Sequence, residues 1–136
     1  MSSPEPDPRE TSLILLKKAE EDATAVREFA GNPEIADSII GFHAQQAVEK
    51  WLKAVTAANG VRHSTIHDID RLIEIVEATG VEVSLDRDSL AVLTQYAVPM
   101  RYDELLDAES HGREMLVALV DEVAAWAEAK LGPSGE

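Results

Sequence analysis

From Leu16 onward the apolar residues recur in alternating steps of three and four. Leu16, Ala19, Ala23, Val26 and Ala30 form one stripe; Ile40, Ala44, Ala47, Trp51, Ala54 and Ala58 form a second. This spacing gathers apolar side chains on one face of a helix and predicts two packed helices. Asp7-Pro8 predicts the first start, because a side-chain acceptor at the N-cap is followed by a proline whose missing N–H costs nothing there. Gly31 predicts its end. Asn32-Pro33-Glu34 repeats the same logic for a second helix that runs to Asn59-Gly60. A periodic stretch of about 25 residues is long for a globular helix and points to a bundle.

Thr65-x-x-Asp68 reads as a capping box for a shorter third helix, with Ile69, Leu72, Ile73 and Val76 inward and Gly80 as its stop. The alternating segment Val81-Glu82-Val83-Ser84-Leu85 has no second strand to pair with and is read as a loop. A fourth helix is expected from about Asp86 to Tyr96, burying Leu90, Leu93 and Ala97 and ended by Pro99. The fifth, from about Leu105 to Lys130, places Leu116, Leu119, Val123 and Trp126 on one face. The expected fold is all-α: an up-and-down antiparallel bundle of about five helices, three of them long. It spans residues 9–131, between a disordered lead-in at 1–8 and a frayed tail at 132–136.

Composition narrows the function. At 136 residues the chain fits one domain with a sizeable core. It has no cysteine, which removes disulfides, thiolate metal sites and thiol nucleophiles and suits a reducing cytoplasm. Twelve Lys and Arg against 26 Asp and Glu leave a formal charge of −14. A polyanion of this kind repels nucleic acid at long range, so duplex DNA is not an expected partner, whereas a local site for one or two phosphates remains open. The opening residues lack the basic and apolar regions of a signal peptide, and no apolar run approaches a membrane span.

The candidate chemistry is sparse. Di-metal bundles require Glu-x-x-His pairs, and the residues three before His43, His63, His67 and His111 are Ile40, Gly60, Ser64 and Ala108. His63 and His67 have ligand spacing but fall in a predicted loop, so neither a metal nor another cofactor is expected. No phosphate-cradling Gly-rich loop and no G-x-S-x-G elbow occurs. The run Glu20-Glu21-Asp22 reads as a solvated helix face, and Glu49 with Lys53 as a surface i,i+4 ion pair. His43 lies in the apolar half of the second helix. It reads either as a half-buried histidine bonded to a neighbouring helix or as a site residue. Arg101 follows the Pro99 break and is flanked by Tyr96 and Tyr102. It can either meet a phosphate bidentately or pair with Asp103, Glu104 or an acid of the last helix.

Three segments in order resemble one family. Phe42-His43-Ala44-Gln45-Gln46-Ala47-Val48-Glu49-Lys50-Trp51-Leu52-Lys53-Ala54 resembles the second-helix signature of the HEPN domain ("higher eukaryotes and prokaryotes nucleotide-binding"). Thr65-Ile66-His67-Asp68-Ile69 is similar to its Thr-His-Asp-Leu step, and Tyr96-Ala97-Val98 with Arg101-Tyr102 to its Tyr-Ala-Val…Arg-Tyr segment. The resemblance implies a five-helix bundle that commonly forms homodimers. It also implies pairing with a minimal nucleotidyltransferase encoded nearby, often as a toxin–antitoxin system. Several members are metal-independent ribonucleases in which an Arg and a His a few residues apart act together. There the Arg holds the scissile phosphate while imidazole moves protons for attack by the 2′-OH. Here nine residues separate Arg101 from the next histidine, His111. The leading expectation is therefore a non-catalytic or weakly catalytic protein that binds a nucleotidyltransferase, or a nucleotide or RNA at a local site, with Arg101, Tyr102, His43 and Lys50 as phosphate-binding candidates. A ribonuclease using Arg101 with His43, His67 or His111 is the first alternative, and a structural oligomerisation module the second.

Overall fold

A computed structural model of the chain describes residues 7–61, 65–97 and 112–132. The expected lead-in through residue 6, the tail from 133, His63, Pro99, Arg101, Tyr102 and His111 lie outside the described residues. Helix α1 covers Pro8–Ala30, α2 Asp37–Ala58, α3 Ile69–Ala78, α4 Arg87–Ala91 and α5 Arg113–Leu131. A 3₁₀ turn over Val92–Tyr96 continues α4.

Asp7 caps α1 by accepting from the Arg9 amide, with Pro8 at the first helical position, and Gly31 closes the helix. The α1 stripe is buried at Leu16, Ala19, Ala23 and Val26. Its small residues let α2 approach closely, and the Ser12 hydroxyl donates to the Ala54 carbonyl across the contact at 2.8 Å. The two helices run antiparallel and form the most extensive helix pair. Between Ala44 and Ala57 nearly every α2 side chain is buried except Gln46 and Lys50, so α2 is the central helix.

Four local expectations are corrected. Helix α2 starts at Asp37 rather than after Asn32: the Asn32 side chain accepts from the Glu34 amide, but the chain turns through residues 33–35 and helical bonding begins at the Ala36 carbonyl. Arg113, at the head of α5, secures that turn. Its Nε donates to Asp37 at 2.8 Å, its Nη1 to the Asn32 carbonyl at 2.8 Å and, more weakly, to those of Phe29 and Ala30, and its Nη2 to Ile35. The cap of α3 is Asp68, whose carboxylate accepts from the amides of Asp70 and Arg71, and not Thr65. A charged acceptor directly before the first inward residue outcompetes a hydroxyl three positions away.

The third correction concerns α4, which tightens after Ala91 and buries Tyr96 in place of Ala97. Leu90, Leu93 and Tyr96 are spaced in threes, and a helix of three residues per turn stacks them in one line. The Tyr96 ring then lies where a Cβ on Gly41 would stand, at 2.5–2.6 Å. Glycine is what allows that contact. Burial and the nearby Asp37 raise the Tyr96 phenol above its ordinary pKa. Lastly, α5 begins at Arg113 with Gly112 as its extended N-cap; the earlier part of the expected fifth helix, 105–111, is not among the described residues.

Segment 81–85 is a loop, as its pattern implied, and the Trp126 indole donates to the Glu82 carbonyl at 3.1 Å, tying that loop to α5. Positive φ at Gly60 (81°) and Gly80 (91°) lets the chain reverse after α2 and α3.

Candidate functional site

Two carboxylates, one reaching α2 from α1 and one on α2 itself, each collect an imidazole and an ammonium. The first is Asp22 on α1. It stands three residues after Ala19 and four before Val26, at the edge of the buried stripe, and its side chain is only 14% exposed. Its neighbours Glu20 and Glu21 are exposed as expected, so the solvated reading of the run fails at Asp22 alone. One Asp22 oxygen accepts from His43 Nδ1 at 2.9 Å and the other from Lys50 Nζ at 2.5 Å. An ionised carboxylate can only accept, so Nδ1 carries the proton and Nε2 is the ring nitrogen left to other partners. Phe29 and Phe42 pack edge-on to the imidazole with centroids 5.6 Å away, which holds the ring's orientation.

The second is Glu49, on the α2 face that turns toward the start of α3. Its Oε1 accepts from Lys53 Nζ at 2.9 Å and from His67 Nδ1, and its Oε2 from the Gln45 amide at 3.0 Å. The Glu49 and Lys53 side chains are 5% and 9% exposed, so this pair is interior and not the surface pair that i,i+4 spacing suggests. The reason is the helix itself. Val48, Leu52 and Val55 are buried outside the predicted stripe, and a helix that is apolar nearly all round has no solvated face for a pair to occupy. His67 covers the pair from the outside, with its ring mostly exposed. Gln46, on the His43–Lys50 face, donates to Gln45 Oε1 at 2.8 Å and so extends the Glu49 cluster toward that face.

The structure thus brings together His43 and Lys50 among the expected site residues and sets His67 in the other cluster. Asp22 and Gln45 are participants that spacing did not single out, and spacing placed Glu49 only in a surface pair. What would have found them is the count of apolar positions around α2 and the offset of Asp22 from its own stripe. Among the described residues no group of three or more His, Asp or Glu side chains could hold a metal ion. No helix among them is long and apolar enough to cross a membrane.

Chemically, the Asp22 cluster offers an oriented imidazole and an ammonium side by side, each still carrying sites for a further hydrogen bond. The Glu49 cluster offers a neutralised interior charge. A family model described as the HEPN domain matches residues 12–130. No curated protein and no solved structure matches the chain.

Proposed function

Because the chain belongs to the HEPN domain family, we propose that it is a binding component of a two-component system, non-catalytic or weakly catalytic, that engages a minimal nucleotidyltransferase and a nucleotide phosphate. It acts as a homodimer in this reading. His43 and Lys50, with Arg101 and Tyr102 of the following segment, are its phosphate-facing residues. The observation that carries this reading is the Asp22 cluster, where an imidazole and an ammonium are anchored by one carboxylate and are each partly open to solvent. A local pair of cationic groups is what an acidic chain of charge −14 needs to receive a phosphate at all.

Co-expression with a minimal nucleotidyltransferase followed by size-exclusion chromatography with light scattering tests it. Co-elution at the mass of a hetero-complex is expected. An unchanged homodimer in the presence of the transferase overturns the partner assignment.

One observation favours a second reading. A carboxylate on Nδ1 that fixes the tautomer is also how an enzyme orients a histidine base. Chelator-resistant RNA cleavage that disappears in Arg101→Ala and in His43→Ala, with folding retained, makes the chain a metal-independent ribonuclease instead.

A further inference from the structure

The donors around Asp22 have unused capacity. Lys50 Nζ carries three N–H groups, and one is directed at Asp22. The imidazolium form of His43 carries a second N–H at Nε2, since Nδ1–H is committed. His43 and Lys50 are seven residues apart on α2, two helical turns, yet both tips converge on one carboxylate. His43 Nδ1 and Lys50 Nζ are thus brought together on the two oxygens of one carboxylate, with Nε2 on the far side of the imidazole ring. Their side chains are 30% and 27% exposed, against 14% for Asp22 beneath them. Counting one negative and two positive groups, the protonated cluster carries a single excess positive charge.

We infer that Asp22, His43 and Lys50 form a phosphate-monoester subsite built wholly from α1 and α2. Lys50 Nζ and His43 Nε2–H take the phosphate oxygens, and Asp22 acts as a positioning residue that aims both. This deepens the reading above and rests on it, because it names which residues hold the phosphate. Partial burial strengthens such charge-assisted hydrogen bonds relative to open water, and anchoring from below lowers the entropy lost when two long side chains converge on a ligand. The edge-on Phe29 and Phe42 rings keep Nε2 from swinging away.

The experiment is an NMR and calorimetric titration of the full chain with inorganic phosphate, AMP and adenosine. Phosphate and AMP are expected to shift the His43 ring and Lys50 signals, and adenosine is not. AMP binding much tighter than phosphate assigns the site to a nucleotide, and equal binding assigns it to the phosphate group as such; the subsite holds in both cases. His43→Gln and Lys50→Met are each expected to weaken binding at least tenfold. Asp22→Ala separates positioning from charge. Removing a repelling carboxylate alone tightens anion binding, whereas loss of positioning weakens it severalfold, the expected result. Tighter binding in Asp22→Ala overturns its positioning role.

Arg101→Ala distinguishes this inference from the broader reading. Binding lost in Arg101→Ala but unchanged in His43→Gln and Lys50→Met overturns the subsite and leaves the nucleotide reading standing. No binding of phosphate or AMP by the wild type overturns the subsite and the nucleotide half of that reading together, leaving the transferase to the co-elution test. The fluorescence of Trp51 and Trp126, both buried, reports whether each variant is folded.

Discussion

Replacing Glu49 by glutamine changes one oxygen for a nitrogen of nearly equal size, so its cost isolates the charge. The structure sets the magnitude. Lys53 is 9% exposed and finds its anion in Glu49 at 2.9 Å. With glutamine there, the ammonium stays in the interior without that counter-charge. Breaking a buried pair by removing one partner costs about 3–5 kcal/mol, far more than the ~0–1 kcal/mol of an exposed pair. Glutamine keeps one acceptor oxygen, so the lower end, about 3 kcal/mol, is expected.

Urea denaturation followed by tryptophan emission reads this directly. With a slope near 2 kcal/mol per molar, typical of a small domain, the midpoint falls by about 1.5 M. A companion variant carrying Glu49→Met and Lys53→Met removes both charges at similar volume. Such double replacements are often close to neutral, with the orphaned Gln45 amide adding about 1–3 kcal/mol. The double variant is therefore expected to be more stable than Glu49→Gln. A cost below about 1 kcal/mol for the single change, or a double variant as unstable as the two single losses added together, refutes the assignment of a buried pair.

Gly41→Ala drives a Cβ into the Tyr96 ring, and overpacking of this kind costs about 1–3 kcal/mol; Gly41→Ala with Tyr96→Leu is expected to recover part of it in the same denaturation assay. Arg113→Lys keeps the charge but loses the fork that spans Asp37 and the carbonyls of residues 29–35, so a loss of about 2 kcal/mol is expected, checked by thermal unfolding. Burial and Asp37 hold the Tyr96 phenol above its ordinary pKa in the folded chain. A group whose folded pKa is raised contributes stability below its unfolded pKa and loses it as pH rises through the folded one. The contribution from Tyr96 is thus complete at neutral pH and disappears above about pH 10, and phenolate absorbance across an alkaline titration, compared with Tyr96→Phe, checks it.

The helices were legible because steps of three and four leave little choice: the stripes from Leu16 to Val26 and from Ile69 to Val76 are buried as read. Ends were less legible, for a definite reason. Asn32 and Thr65 have the chemistry of caps, yet both lie upstream of a better-placed start, and only the packing of Ile35 and the carboxylate of Asp68 decide between them. The shift to 3₁₀ geometry was available in the three-residue spacing of Leu90, Leu93 and Tyr96, which a search for α-helical periodicity passes over. The site was half legible. His43 and Lys50 stood out by residue type, whereas Asp22 was hidden in an acidic run whose other two members are solvated.

The two clusters on α2 have the same parts and different depths, and depth separates their roles. Glu49 lies in the interior, where an ionised carboxylate requires several donors; Gln45, Lys53 and His67 meet that demand. Asp22 lies at the rim of the α1–α2 contact, where both His43 and Lys50 are partly exposed to water. The buried cluster therefore ties the loop before α3 to the central helix, and the rim cluster is the one with donors to offer a ligand. Gln46 stands between His43 and Lys50 on the rim face, and its amide donates to Gln45, which in turn donates to Glu49. A ligand at the rim that reaches Gln46 would engage the chain of bonds running through Gln45 and Glu49 to His67 at the α3 entry. Strengthening the rim by occupying it is expected to protect the amides of residues 65–70 from hydrogen exchange in the presence of phosphate. Protection confined to α1 and α2 refutes that coupling while leaving the phosphate subsite itself untouched.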